Sequence, residues 1–310
     1  MKIIFYNQYN RGDIHYSRGF VNHTVNEIKK QREDISFFYA HRALPDVISD
    51  IPDVTEIPQA PFLPPPGTQS YPWSVKDQVS EFQENGEQVV AINAWVGSAD
   101  FFRSFCGCCF TGNLKLWRRV WKILEDRHDL FVERPENNND ILPQIDYKKY
   151  PSTSVIDEHI ENTNYEKRIF VSNGPVLSGQ SHNFNFDPIV EKLAQENPTV
   201  AFYMTDTTNL NLPNVFKTRY LIGKDGCDLN ENSYLSRFCD VIVGRGSGPF
   251  CFAGVVENFL DQEKVFCSFS HGRPEGFWYQ EGRCEYEHVD QPSDEKLEEI
   301  YQLFKSVVEE

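Results

Sequence analysis

The chain lacks the features that would take it out of the ordinary globular class. No stretch approaches the roughly 18 to 20 apolar residues that a membrane helix needs, so no integral membrane segment is expected. The opening Met1-Lys2-Ile3-Ile4-Phe5-Tyr6 breaks at Asn7 and Gln8, far short of a signal-peptide core, and a cytoplasmic protein is expected. Repeats at solenoid periods are missing. So are GxGxxG and the Walker A loop, which lowers the dinucleotide and ATPase readings. Positive charge is scarce: 30 Lys and Arg stand against 46 Asp and Glu, a formal charge of −16. That excess repels phosphate backbones and no basic stripe relieves it, so nucleic acid is not expected as a partner.

Of the eight cysteines, Cys227, Cys239, Cys251, Cys267 and Cys284 stand alone without metal-ligand spacing and read as reduced core thiols. Cys106-Gly107-Cys108-Cys109 reads either as a buried turn or as a soft-metal or redox cluster, and it has no second CxxC or paired histidine. A bound metal is not expected.

What remains is an α/β chain of two domains. The 310 residues, 40% hydrophobic and 14% aromatic, exceed one ordinary core. A short apolar run at 2–6, a polar loop at 7–13 and a helical stretch at 16–30 open an α/β unit. Strands are expected at 35–40 and 88–95, with a helix at 114–124, where Leu114, Trp117, Val120, Trp121 and Leu124 recur at helical spacing. Residues 58–73, with six prolines, read as an extended surface loop. The polar stretch 133–167 is the best boundary, giving domains 1–155 and 156–310.

The second half repeats the grammar. Strands are expected at 168–172, 199–204, 219–222, 240–243 and 264–269. Between them a helix opens at Asp187-Pro188, an N-cap followed by proline, a short one covers 231–238 and another starts near Pro249. Ser293 caps a last amphipathic helix carrying Leu297, Ile300, Tyr301, Phe304 and Val308 on one face.

Three strand-to-helix loops carry the chemistry, because open α/β sheets bind ligands beyond the carboxyl ends of their strands. In Asn10-Arg11-Gly12-Asp13-Ile14-His15, Gly12 permits close approach and Asp13 offers a carboxylate that could take a proton from a hydroxyl; equally, Asp13 could cap the following helix. In Val243-Gly244-Arg245-Gly246-Ser247-Gly248-Pro249, bare N–H groups and a hydroxyl precede a helix N-terminus, a geometry suited to a diphosphate. Arg245 could add a fork to phosphate oxygens, or be a surface residue on a structural turn. The long loop from Asn173 and Gly174 through Ser178, Gln180 and His182 could wrap a sugar diphosphate or be a plain connection.

The Gly12-Asp13 loop, paired with Glu231 to Asp240 and then Val241-Ile242-Val243-Gly244-Arg245-Gly246-Ser247-Gly248-Pro249, resembles the GT-B glycosyltransferases, in particular the bacterial lipopolysaccharide heptosyltransferase group. The resemblance covers the C-terminal half and the first thirty or so residues. It implies an α/β fold of two Rossmann-like α/β/α domains facing a cleft, the acceptor on the N-terminal domain and a nucleotide-sugar donor on the C-terminal one. It implies a cytoplasmic enzyme of polysaccharide biosynthesis that moves a hexose or related sugar to a glycan hydroxyl by inverting displacement. Asp13 would be the general base, with no cofactor or metal.

Donor contacts would come from Gly12, Asn173, Gly174, Ser178, Gln180, Met204, Thr205, Asp206, Ile222, Tyr234, Arg245, Gly246, Ser247, Gly248 and Pro249, and acceptor contacts from His15, Trp95 and Gly97, although Trp95 reads more readily as a buried core residue than as a sugar platform. The chain departs from the group where Gly246-Ser247-Gly248 and Cys251 replace its Asp-Thr-Gly and later histidine. Ser178, Gly179, Gln180 and His182 stand where the group has a basic residue, leaving Arg245, Lys224 or helix dipoles to offset phosphate charge. A nucleotide-sugar 2-epimerase, a non-catalytic nucleotide- or glycan-binding module and a DNA-base glycosyltransferase are the competing readings, the charge opposing the last.

Overall fold

The computed structural model describes residues 1–68, 70–73, 78–95, 110–136, 138–177, 181–246, 248–270, 283–289 and 292–310, the side chains of 110–115, 138, 270, 284, 286 and 288 excepted. The chain divides into two units, Met1–Asp146 and Tyr147–Glu310. The division falls nine residues before the 155/156 position read from the sequence. Tyr147 belongs to the second unit because its ring tilts against Tyr234, centroids 4.9 Å apart, and its hydroxyl meets Ser233 Oγ at 3.0 Å.

The first unit carries a sheet of β1 (Lys2–Asn7), β2 (Ser36–His41), β3 (Val54–Ile57), β4 (Val79–Glu84) and β5 (Glu87–Asn93) in the order β3-β2-β1-β5-β4. All pairs are parallel except β4 with β5. That hairpin turns on Asn85-Gly86, both at positive φ (52° and 80°), the pair that a two-residue turn of matching twist demands. Side chains alternate across β1: Ile4 and Tyr6 join Ala40, Ala60, Leu63, Trp73, Val89 and Ala91 on one face, while Phe5 meets Phe20 edge-on at 5.9 Å. Residues 58–73 are therefore not a surface loop throughout. Their prolines exclude regular structure, yet Leu63 and Trp73 are buried, and Trp73 packs edge-on against Tyr6 at 5.2 Å.

The helices α1 (Arg11–Tyr16), α2 (Arg18–Lys29) and α3 (Phe110–His128) follow. α3 buries Trp117, Val120, Trp121 and Leu124, with Trp117 stacked on Phe20 and the Trp121 indole donating to Thr24 Oγ1 at 2.8 Å. At the head of α2 the buried Arg18 guanidinium pairs with Asp50, whose other oxygen accepts the Asp146 N–H at 3.1 Å. Behind it, Gly19 lets a 3₁₀ turn, Asn138–Ile141, lie directly on the helix.

In the second unit the strands β6 (Lys167–Ser172), β7 (Val200–Met204), β8 (Val215–Lys217), β9 (Val241–Gly244), β10 (Val265–Ser270) and β11 (Arg283–His288) are all parallel, in the order β11-β10-β9-β6-β7-β8. This is the 3-2-1-4-5-6 order of a doubly wound sheet, with its reversal between β6 and β9. Apolar residues of β6, β7 and β9 form one core with α5 (Asp187–Glu196) and α10 (Asp294–Glu309), while α4 (Thr153–Asn162) sends His159 to the Tyr203 hydroxyl at 3.1 Å. Ser293 caps α10, its hydroxyl accepting from the Lys296 N–H at 3.1 Å. Both sheets thus belong to the α/β class, the second in full Rossmann order and the first parallel except for its edge strand β4.

Two local expectations change. The strand expected at 219–222 is the short helix α6 (Thr218–Ile222): β8 takes the edge position at 215–217, and Gly223, at φ 64°, ends the helix. The N-cap of α5 is Phe186 rather than Asp187, which moves Pro188 to the second helical position. Cys227, Cys239, Cys251 and Cys267 are buried and unbridged. Among the described residues, no helix is long and apolar enough to cross a membrane.

Gly19→Ala is the sharpest test of this packing. A Cβ at Gly19 would lie 2.0 Å from the Ile141 carbonyl oxygen, a backbone atom that cannot swing aside. The helix-propensity gain of about 1 kcal/mol is outweighed by about 2–3 kcal/mol of overpacking. The variant is expected to unfold at lower denaturant, and a midpoint at or above wild type would refute the close approach.

Candidate functional site

Each unit gathers polar residues beyond the carboxyl ends of its strands. In the first, β1 and β5 lie side by side and each ends on an asparagine, Asn7 and Asn93. Each side-chain oxygen accepts the N–H two residues on, Asn7 from Tyr9 and Asn93 from Trp95, both at 2.9 Å. These Asx turns throw the next aromatic of each strand onto the other: Tyr9 and Trp95 stack with centroids 3.7 Å apart and planes 15° from parallel. Trp95 is half-buried, not a core residue.

Gly12 and Asp13 lie inside the first turn of α1, because the helix starts at Arg11, earlier than the loop at 7–13 allows. Asp13 Oδ2 accepts the Asn10 N–H at 3.2 Å, completing a capping box. Although the residue keeps partial access to solvent, its carboxyl sits amid dense protein. Burial pushes its pKa up to about 6, against the opposing pull of the Asn10 N–H and the Trp95 side chain. His15 is fully buried in α1 because the helix turns it toward the core, so it presents no surface to an acceptor, contrary to the expected direct contact. Gly97 lies outside the described residues.

In the second unit the site is the point of strand reversal. Asn173 follows β6 and its Oδ1 accepts the Asp206 N–H beyond β7 at 2.8 Å; Gly174 lies so close that a Cβ there would stand 3.1 Å from Asp206 Oδ2. β6 and β9 also converge. A Cβ on Gly244 would meet Ser172 Cβ at 2.7 Å, and Ser172 Oγ accepts the Phe250 N–H at 3.2 Å. Gly246, Gly248 and Pro249 continue half-exposed from there, Gly248 at φ 51° with open space around its missing Cβ.

Arg245 is not a phosphate fork. Its guanidinium turns inward, lies over the rings of Phe184 and Phe186, and donates to the carbonyls of Phe184 (2.9 Å), Asn173 (2.6 Å) and Gly174 (2.7 Å). Burial brings its pKa down to about 10, with Asp206 opposing, so it stays charged at neutral pH. It clasps the loop after β6 to the end of β9. Nor does a helix dipole replace it: α8 (Pro249–Phe252) spans four residues, too few for an appreciable macrodipole. Lys224 is engaged by the buried Glu231 at 2.9 Å.

Of the other expected donor contacts, Met204 is wholly in the core, and Ile222 is buried in α6 rather than at a strand end. Tyr234, on α7 (Leu229–Ser236), gives its hydroxyl to Asp157 of α4 at 2.6 Å, so it packs helix on helix. Thr205, just beyond β7, is buried, and its hydroxyl has no partner among the described residues. Ser178, Gln180 and Ser247 lie outside the described residues, as do Cys106, Cys108 and Cys109. Sequence reasoning missed Ser172, Tyr9 and the two asparagine turns. The last had a signal, since Asn7-Gln8-Tyr9 and Asn93-Ala94-Trp95 share one spacing after two apolar runs.

The chain is similar over nearly its whole length to solved heptosyltransferase structures. The ADP-heptose lipopolysaccharide heptosyltransferase II of E. coli is 11% identical with a TM-score of 0.48, over 99% of this chain and 98% of that one. E. coli heptosyltransferase WaaC with ADP is 8% identical with a TM-score of 0.48, over 99% of each chain. A glycosyl transferase family 9 structure from Veillonella parvula is 9% identical with a TM-score of 0.45, over 100% and 97%. At TM-scores below 0.5 these likenesses carry no conclusion about what the chain does. No protein-family model and no curated protein matches the sequence.

Two stability measurements check this geometry. With its native pKa above the ordinary carboxylate value, Asp13 favours the folded state when protonated, and that contribution fades as pH rises from about 4 through about 6. Asn mimics the protonated form and keeps an acceptor for the cap. Asp13→Asn should therefore melt higher than wild type at pH 8, the gain closing below about pH 4. Arg245→Met strands buried carbonyls and should cost about 2–4 kcal/mol in urea; an unchanged midpoint would mean that the clasp is not formed.

Proposed function

We propose that this chain is a glycosyltransferase that moves a sugar from a nucleotide-sugar donor to a hydroxyl acceptor, with Asp13 as general base. The observation that carries the reading is Asp13 itself: a carboxyl beyond the end of β1 with partial access to solvent and a pKa pushed up to about 6. Such a group is ionised at neutral pH yet more basic than an ordinary carboxylate, as proton removal from an attacking hydroxyl requires.

The donor diphosphate belongs at the strand reversal of the second unit, the general position for ligands in open α/β sheets. There Gly246, Gly248 and the Asn173-Gly174 turn offer backbone without side-chain bulk, and the buried Thr205 hydroxyl lies at the end of the neighbouring strand. With Arg245 spent on carbonyls, backbone N–H groups carry the leaving diphosphate. The reaction is a single inverting displacement: the acceptor oxygen bonds to the anomeric carbon, its proton passes to Asp13, and the nucleoside diphosphate departs with the bonding pair. A metal ion has no assigned part in this scheme. The acceptor is placed beside Asp13 and Trp95.

One observation favours a binding module without catalysis. Asp13 Oδ2 already caps α1, so the carboxylate has a structural use.

The test is product analysis with UDP-, GDP-, ADP-, CMP- and dTDP-sugars after a thermal-shift screen of the nucleotides. A nucleotide at about a hundred times its dissociation constant adds about 2.7 kcal/mol. Gly248→Trp, which fills the open space at the reversal, should abolish that gain. Asp13→Ala should lower turnover by about 10²- to 10⁴-fold while leaving the nucleotide shift in place. Binding with no transfer to any acceptor would favour the module, and no nucleotide shift at all would overturn both readings.

A further inference from the structure

We propose that Gln8 and Gln78 form a saccharide-binding recess at the carboxyl edge of the first unit, their side-chain carbonyl oxygens accepting hydrogen bonds from the hydroxyls of a neutral carbohydrate. The inference deepens the proposed function by naming what the acceptor presents there, an uncharged polyol. It rests on that reading for its catalytic meaning and not for the binding itself.

The argument starts from the pleat. Tyr6 stands opposite Asn93 in the register of β1 with β5, and Gln78, one residue before β4, gives its backbone carbonyl to the Asn93 N–H at 2.8 Å. β4 pairs with β5 so that Val79 faces Ile92 and Phe82 faces Val89. Alternation therefore puts Tyr6, Asn93, Gln78 and Phe82 on one face. Trp73 packs on that face, its ring edge-on to Tyr6 at 5.2 Å and to Phe82 at 5.7 Å. Gln8 reaches the same place, for its Nε2 donates to the Trp73 carbonyl at 3.3 Å. Both glutamines thus belong to the Trp73 face, at the edge where β1 ends and leads into α1 and Asp13.

Their carbonyl oxygens are unmet. Gln8 is 2% and Gln78 6% exposed, and Oε1 of each has no hydrogen-bond partner among the described residues. The bond to the Trp73 carbonyl fixes which way round the Gln8 amide lies, nitrogen spent and oxygen left over. A buried acceptor without a donor destabilises the fold, so two on one face mark a place where a ligand supplies the donors. The sign of the groups selects the ligand class. A carboxylate or phosphate brings only acceptors and is repelled by carbonyl oxygens, whereas every sugar hydroxyl brings a donor.

Binding is read without turnover, by isothermal titration and saturation-transfer NMR on the whole chain. The neutral probes are glucose, galactose, mannose, N-acetylglucosamine and their common disaccharides; glucuronate and a hexose phosphate are the charged ones. A neutral probe is expected to bind and the charged ones to bind less well. Gln8→Met and Gln78→Met, similar in length but without the acceptor, should each weaken the neutral probe by about tenfold or more, the weight of one hydrogen bond. Because the Gln78 oxygen is unmet in the free chain, Gln78→Met should unfold at the same or a higher urea concentration than wild type, as expected of a polar group kept for a ligand and not for the fold. The inference is overturned if no neutral probe binds, or if binding is unchanged in both variants. A lower urea midpoint for Gln78→Met also overturns it, since the oxygen is then already paired by an internal water. A chain that binds saccharide through the glutamines yet transfers no sugar keeps this inference and refutes the glycosyltransferase reading, and transfer to anionic acceptors alone does the reverse.

Discussion

Parallel pairing delivers the carboxyl ends of neighbouring strands to one edge of a sheet, and the backbone that leaves that edge has lost its ladder. Every N–H and C=O there still needs a partner. In both units the partners are short polar side chains placed at the last strand residue or just beyond it. Asn7 and Asn93 take the N–H groups of Tyr9 and Trp95, Asn173 takes that of Asp206, and Ser172 takes that of Phe250. The same bonds that satisfy the backbone decide where the next side chain goes. Site geometry in this chain is thus a by-product of strand termination.

The two charged groups at these edges differ in how well they are satisfied. Arg245 donates to carbonyls from two different turns and lies over two phenyl rings, so its burial is compensated and it remains charged. Asp13 accepts from the backbone N–H of a capping box, and burial wins. A buried ion with its hydrogen bonds filled is a fastener. One with bonds still to make is unstable in the folded state and is where proton chemistry gains most from a protein environment. The contrast with Arg18 and Asp50 in the first unit is instructive: both are almost wholly buried, paired, and bonded onward to Val47 and Asp146, and they serve to hold the loop ahead of β3 against α2.

Legibility in the sequence followed the strength of each local signal. β1, β2, β5, β6, β7, β9 and β10 are apolar runs buried in parallel sheets and are readable as such. β4 and β11, with Val-Ser-Glu-Phe-Gln-Glu and Arg-Cys-Glu-Tyr-Glu-His, lie at sheet edges and carry the polar residues that edges tolerate, so neither announces itself as a strand. Residues 219–222 look like a strand because Tyr220, Leu221 and Ile222 are bulky and apolar; Val215 to Lys217 occupy the available register first, and Gly223 closes a helix instead. Gly12-Asp13 and the glycines after β9 were visible as loops. The partners of Arg245 were not, since Phe184 lies 61 residues upstream and nothing local distinguishes an arginine that will turn inward from one that faces a phosphate.

A general base faces opposing demands. A carboxylate surrounded by donors is fully ionised but weakly basic, and one stripped of donors is strongly basic but neutral at the working pH. Asp13 lies between these limits. Dense surroundings raise it, and the Asn10 N–H of its own helix cap, the Trp95 side chain and its own backbone keep it from rising further. The bond from the Asn10 N–H is dictated by the start of α1 and cannot be tuned without moving the helix. The position of this carboxyl is therefore fixed by the capping box.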